Sequence, residues 1–172
     1  ANNVAVGQAA LNANTTGAEN VAIGWEANKG STTGYSNIAI GYAVMNTGVN
    51  TGQYNIGMGR YSMQNLTSGD HNIGIGANTL DALTGADNNI AIGNSALGAN
   101  TGGHSNTCLG ANAGLANIDG VQCTVVGMDA MKNATSDDGA AIFGYLAGRD
   151  MNGATHTTLI GAYAGLGLTT GD

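Results

Sequence analysis

Proline is absent from this sequence, and Lys29, Arg60, Lys132 and Arg149 are its only cations among 172 residues. So few positive charges exclude a surface for the phosphate backbone of nucleic acid, which needs clustered Lys and Arg. They equally exclude docking on anionic lipid. The 11 acidic residues bring the net charge to −7 and are scattered, as on a solubilising surface. No run approaches the ~18 apolar residues of a membrane-spanning helix. Charged residues make up only 9% against 42% hydrophobic, the reverse of the disorder signature. What the chain has instead is glycine, 30 of them. Glycine every few residues excludes long helices, and its spacing is not the every-third-residue period of collagen.

The glycines carry a repeat. Asn-(Ile/Val)-Ala-(Ile/Val)-Gly returns with its glycine at Gly7, Gly24, Gly41, Gly59, Gly76, Gly93, Gly110, Gly127, Gly144 and Gly161. Every interval is seventeen residues except Gly41 to Gly59, which is eighteen. A period this short predicts a stacked solenoid and not a globular domain with one closed core. Residues 1–172 read as a single array of ten repeats, starting near Asn3, Asn20, Asn37, Asn55, Asn72, Asn89, Asn106, Cys123, Ala140 and Thr157. Ala1 stands just before a motif and Asp172 closes one, so we expect a segment of a longer fibre or a subunit stacked end to end.

With the motif Asn as position 1, the glycine is position 5. Positions 2 and 4 are large or β-branched apolar residues (Val21/Ile23, Ile38/Ile40, Ile73/Ile75, Ile90/Ile92), and this alternation predicts a parallel strand. The two side chains share one face, which is expected to be the interior. Position 3 is small (Ala5, Ala22, Ala39, Gly57, Gly74, Ala91) before it becomes Cys108, Val125, Ile142 and Leu159. On this reading position 3 points outward and is covered by another chain. Apolar residues at positions 9 and 12 are expected to join the core. Gly at position 5 turns the chain through φ > 0. A second turn is expected at positions 13–15, where Thr-Gly recurs, and it should accommodate the extra residue before Asn55. Asn3, Asn20, Asn37, Asn55, Asn72, Asn89 and Asn106 would stack about 4.8 Å apart as an amide ladder, whose column ends at Cys123.

Two kinds of repeat are similar to this one. Asn20-Val-Ala-Ile-Gly24-Trp-Glu-Ala27 and Asn37-Ile-Ala-Ile-Gly41-Tyr-Ala resemble the xIAIGxxA head repeat of trimeric autotransporter adhesins. Asn89-Ile-Ala-Ile-Gly93-Asn-Ser-Ala96-Leu97 with Asn100-Thr101-Gly102 resembles the NxAIGxxAL…NTTG array of phage tail fibres more closely. The resemblance covers nearly the whole chain. It implies an all-β parallel solenoid packed as a homotrimer in an extracellular or virion-borne fibre. The coiled-coil stalk, membrane anchor and self-cleaving chaperone of those families have no counterpart in these residues, so a shaft or head segment is expected.

No chemistry emerges to compete with a structural role. His71 and His156 share a repeat position but stand five rungs apart, roughly 24 Å, and His104 has no His-x-His partner. Cys108 and Cys123, about 8 Å apart on neighbouring rungs, lie beyond disulfide reach and read as small hydrophobes. Gly57-Met-Gly59 and Gly74-Ile-Gly76 follow from the repeat, not from a dinucleotide loop. The acids lack the register of a calcium β-roll. We therefore expect no enzyme, catalytic residue, cofactor or metal. The expected partner is the chain itself, as homotrimer or end-to-end stack, with a host-surface receptor or glycan beyond it. Trp25, Tyr42 and Tyr61 are the candidate glycan contacts. A rival of another class is an ice- or glycan-binding solenoid that uses the position-13 threonines (Thr15, Thr32, Thr51, Thr67, Thr84, Thr101, Thr135, Thr169). Alternatively, the chain is a subunit of a self-assembling extracellular filament.

Overall fold

The computed structural model describes residues 2–169; Ala1 and Asp172, the ends of the repeat register, lie outside them. The chain winds as an all-β parallel solenoid with a seventeen-residue repeat. Each coil contributes one three-residue strand: β1 (Val4–Val6), β2 (Val21–Ile23), β3 (Ile38–Ile40), β4 (Ile56–Met58), β5 (Ile73–Ile75), β6 (Ile90–Ile92), β7 (Thr107–Leu109), β8 (Thr124–Val126), β9 (Ala141–Phe143) and β10 (Thr158–Ile160). The strands form one 10-stranded sheet in chain order, each parallel to its neighbours. Like pairs with like throughout, as in Ala22↔Ala39 and Cys108↔Val125. At roughly 4.8 Å per strand the sheet runs about 43 Å.

The strands carry the alternation expected of them, but their faces are reversed. Position 3 is the interior residue: Ala22, Ala39, Ala91, Cys108, Val125 and Ile142 are fully buried within the chain's own core. Positions 2 and 4 look outward, with Val4 at 49% and Val6 at 57% exposure. The reason is the thinness of the coil. Gly57 lies directly beneath the side chains of Val44, Met45 and Met63. In the middle coils the wall opposite the strand supplies large residues (Met45, Met63, Leu80, Leu97), and little volume is left for position 3.

Further along the array the partition inverts in the seventh and ninth coils, whereas the eighth buries both Val125 and Met131. Position 9 becomes Gly114 where position 3 becomes Cys108, and Gly148 where it becomes Ile142. Large and small exchange sides while the enclosed volume stays filled. Position 12 departs from its apolar expectation: Leu66, Leu83 and Met151 share that column with buried Ser31, Asn100 and Asn117. The accessible surface of 6978 Å² is below the roughly 7,700 Å² of a globular monomer of this mass. Few side chains project far from the coil.

Two backbone features make coils this tight. Each motif glycine has φ between +124° and +142°. A Cβ on Gly110 would stand 2.6 Å from the carbonyl oxygen of Gly127 on the next coil. Non-glycine residues at positions 7, 9 and 17 also adopt left-handed φ, as in Ser95 (+55°), Leu97 (+49°) and Ser105 (+61°). The extra residue of the third coil bulges at Gly48 (φ +75°) and Val49, which is 63% exposed. The Ser31↔Asn50 bridge and the Ile38↔Ile56 pairing then restore the register.

The asparagines work as staples as well as a ladder. Asn72 Nδ2 donates to the Ala86 carbonyl at 2.8 Å, tying the start of its coil to the end. Its Oδ1 accepts the backbone N–H of Asn89 at 2.9 Å, tying that coil to the next. Asn20, Asn37, Asn55, Asn89 and Asn106 repeat both contacts. Asn72 Nδ2 also reaches Asn55 Oδ1, at a longer 3.2 Å. Where Asn gives way, Cys123 keeps the coil-closing contact, its Sγ 2.9 Å from the Asp137 carbonyl, while its N–H still donates to Asn106 Oδ1.

Candidate functional site

The sheet presents its outer face as a strip of apolar side chains two residues wide. From β1 it runs Val4/Val6, Val21/Ile23, Ile38/Ile40, Ile56/Met58, Ile73/Ile75 and Ile90/Ile92. It continues through Thr107/Leu109, Thr124/Val126, Ala141/Phe143 and Thr158/Ile160, where position 2 turns polar or small. Every one of these residues is exposed or half-buried. Branched residues are there because they favour the extended backbone, and register aligns them into columns. Few soluble monomers leave a contiguous apolar strip of this kind uncovered. Its composition was legible in the sequence; the side on which it lies was not.

Chain continuity sets its borders. Positions 6 and 7 follow the strand, and positions 16 and 17 precede it. On the leading border Trp25 and Tyr42 stack at 4.6 Å and 15°, and Tyr42 meets Tyr61 edge-on at 5.5 Å. The Arg60 guanidinium lies 4.5 Å from the Tyr61 ring centroid and 5.9 Å from that of Tyr42. The three predicted glycan contacts thus form one ladder whose ring faces are turned largely to each other and to Arg60. On the trailing border Tyr54 stacks on His71 at 4.9 Å and meets Tyr35 at 5.2 Å. Sequence reading missed that the aromatics flank the strip on both sides in the same coils.

Charge is divided between the two sides. Three cations are paired: Lys29 with Glu26, Lys132 with Asp129 and Arg149 with Asp150. Hydrogen bonds from Asn112 and Lys132 hold the Asp129 carboxyl below the usual carboxylate range. Among the described residues Arg60 is the one cation without a carboxylate. The trailing border carries Glu19, Asp70, Asp87 and Asp138, none of which has a cation partner. One oxygen of each aspartate accepts a backbone N–H: Asp70 from Gln53, Asp87 from Asp70, and Asp138 from Val121.

The remaining candidates are dispersed. Threonine hydroxyls of the position-13 column turn back to the coil, with Thr15 donating to Thr32 O at 3.0 Å and Thr67 to Thr84 O at 2.9 Å. The column lies in a turn, not on the flat strand face. His71, His104 and His156 are exposed and separate. Cys108 and Cys123 are buried free thiols, and burial raises Cys123 to about 11. Among the described residues there is no cleft or cavity, and no group of three or more His, Cys, Asp or Glu side chains is placed to hold a metal. Compared with known proteins, the chain matches no family model, no curated protein and no solved structure.

Proposed function

We propose that this chain is a structural fibre protein: a homotrimeric shaft or head segment of a phage tail fibre or bacterial surface adhesin, supporting attachment to a host surface. The observation that carries the reading is the outward Val/Ile strip along the length of the sheet. An uncovered strip would be an aggregation hazard, and a second and third copy of the same strip would bury it. The staples, the tight coils and the continuous sheet suit a stiff, protease-resistant spacer. In this role the protein acts mechanically and not as an enzyme, and it works outside the cell or on the virion.

Sedimentation velocity and chemical cross-linking test the proposal. The expected species is a trimer of the 17.0 kDa chain, resistant to protease. A stable, soluble 17.0 kDa monomer at tens of micromolar would refute it.

A further inference from the structure

The two borders of the apolar strip are chemically unlike, and this constrains how copies can pack. The inference rests on the assembly reading above and adds orientation, register and a contact. We infer that copies of this chain associate parallel and in register, with Arg60 of one copy against Asp70 of its neighbour.

Symmetry supplies the first part. If the rotation axis runs along the solenoid, copies are parallel, and the leading border of one meets the trailing border of the next, whether two or three copies close the ring. If a twofold axis runs across the solenoid, copies are antiparallel and like borders meet. The acidic border, with Glu19, Asp70, Asp87 and Asp138 unpaired by any cation, would then face itself. Opposed like charges select against that arrangement, whereas the parallel one sets the acidic border against a side whose net charge is near zero. That side also holds Arg60, exposed and lacking a carboxylate of its own.

Register follows from height. Arg60 leaves β4 and Asp70 leads into β5 on the opposite border, so they differ in height by at most one strand spacing, about 4.8 Å, within reach of an arginine side chain. The aromatics agree: Trp25, Tyr42 and Tyr61 on one border and Tyr35, Tyr54 and His71 on the other occupy the second to fourth coils. Parallel, in-register copies bring the two ladders to within one strand spacing of each other. In an antiparallel pairing about the middle of the array the third coil would face the eighth, which carries Met128, Asp129, Asp138 and Gly139 at its borders.

Charge exchange and directed cross-linking test the arrangement. Arg60→Glu is expected to weaken association by about tenfold. Asp70→Asn keeps the acceptor for Gln53 N–H while removing the charge, and is expected to weaken it by about threefold. The pair Arg60→Glu with Asp70→Lys should recover most of the loss. Arg60→Cys chains mixed with Asp70→Cys chains should join through a short bis-maleimide, which leaves buried Cys108 and Cys123 untouched. Circular dichroism confirms that each variant is folded. Assembly without recovery by the exchanged pair and without the mixed cross-link would overturn this inference and leave the fibre reading standing. A monomer would overturn both.

Discussion

A Cβ on Gly114 would stand 3.0 Å from the Sγ of Cys108, so the two residues divide one volume between the strand and the opposite wall of the coil. The preceding coil divides the same volume as Ala91 and Leu97, both fully buried. Between the sixth and seventh coils the large and the small residue change sides of one cross-section. This exchange explains how the motif can drift from Ala-like to Ile-like at position 3 while the fold continues.

Gly114→Leu alone should therefore destabilise the chain by about 2–3 kcal/mol through overpacking. Cys108→Ala alone should cost about 1–2 kcal/mol by leaving a void. The double variant recreates the Ala91/Leu97 arrangement, and φ at Gly114 (+61°) is near that of Leu97 (+49°). A denaturation double-mutant cycle should show a favourable coupling of about 1–3 kcal/mol; additivity would refute the shared volume.

Gly110→Ala meets two obstacles together: φ of +134° and the Gly127 carbonyl in the path of the new Cβ. A loss of about 3 kcal/mol or more is expected in urea or thermal unfolding. An unchanged midpoint would contradict the close stacking of the glycine column.

At Asn72, substitution by Ala strands the Ala86 carbonyl and the Asn89 N–H in the interior. The expected cost is about 2–4 kcal/mol. Asn72→Cys should be milder, because Cys123 already makes the closing contact with a thiol. Equal losses for the two variants would show that packing, not hydrogen bonding, sets the value of the column.

Gln122 is exposed with φ of +59°. Gln122→Gly should stabilise by about 0.5–1 kcal/mol by relieving a left-handed conformation. Gln122→Val should destabilise by more than that, since branching at Cβ resists this region. Thermal melts of the pair, read against each other, check the sign.

Asp137 is fully buried in a column that elsewhere carries mostly glycine, and its Oδ1 accepts the Ala154 N–H. Burial raises its carboxyl above the usual value, with the neighbouring Asp138 charge adding to it and the Ala154 hydrogen bond opposing it. The folded chain thus holds this proton more tightly than the unfolded one. Its contribution to stability is fully present below the unfolded pKa and is lost as pH rises through the folded pKa. Asp137→Asn should flatten that part of the curve. Unfolding midpoints of parent and variant between pH 3 and 7 should diverge as pH rises; parallel curves would contradict the assignment.

A further signal was present in the sequence but is read only in hindsight. Positions 7, 9 and 17 never carry Val, Ile or Thr, although those residues abound elsewhere. These are the left-handed positions, and β-branched side chains are the ones they exclude. The borders of the apolar strip were harder to see. Arg60 and Asp70 are ten residues apart in sequence, and nothing local tells that they flank one strip from opposite sides.

By itself the sequence determined the parallel coil, its seventeen-residue period, the glycine turns and the asparagine column, because each is a local pattern repeated at fixed spacing. Alternation also determined which side chains share a strand face. It could not determine which face is inside. Hydrophobicity alone pointed Ile90 and Ile92 inward, yet the narrow coil has room there only for Ala91 once Leu97 fills it from the far wall. That decision belongs to the enclosed volume, a property of the whole cross-section, and it is what leaves the large apolar residues facing outward.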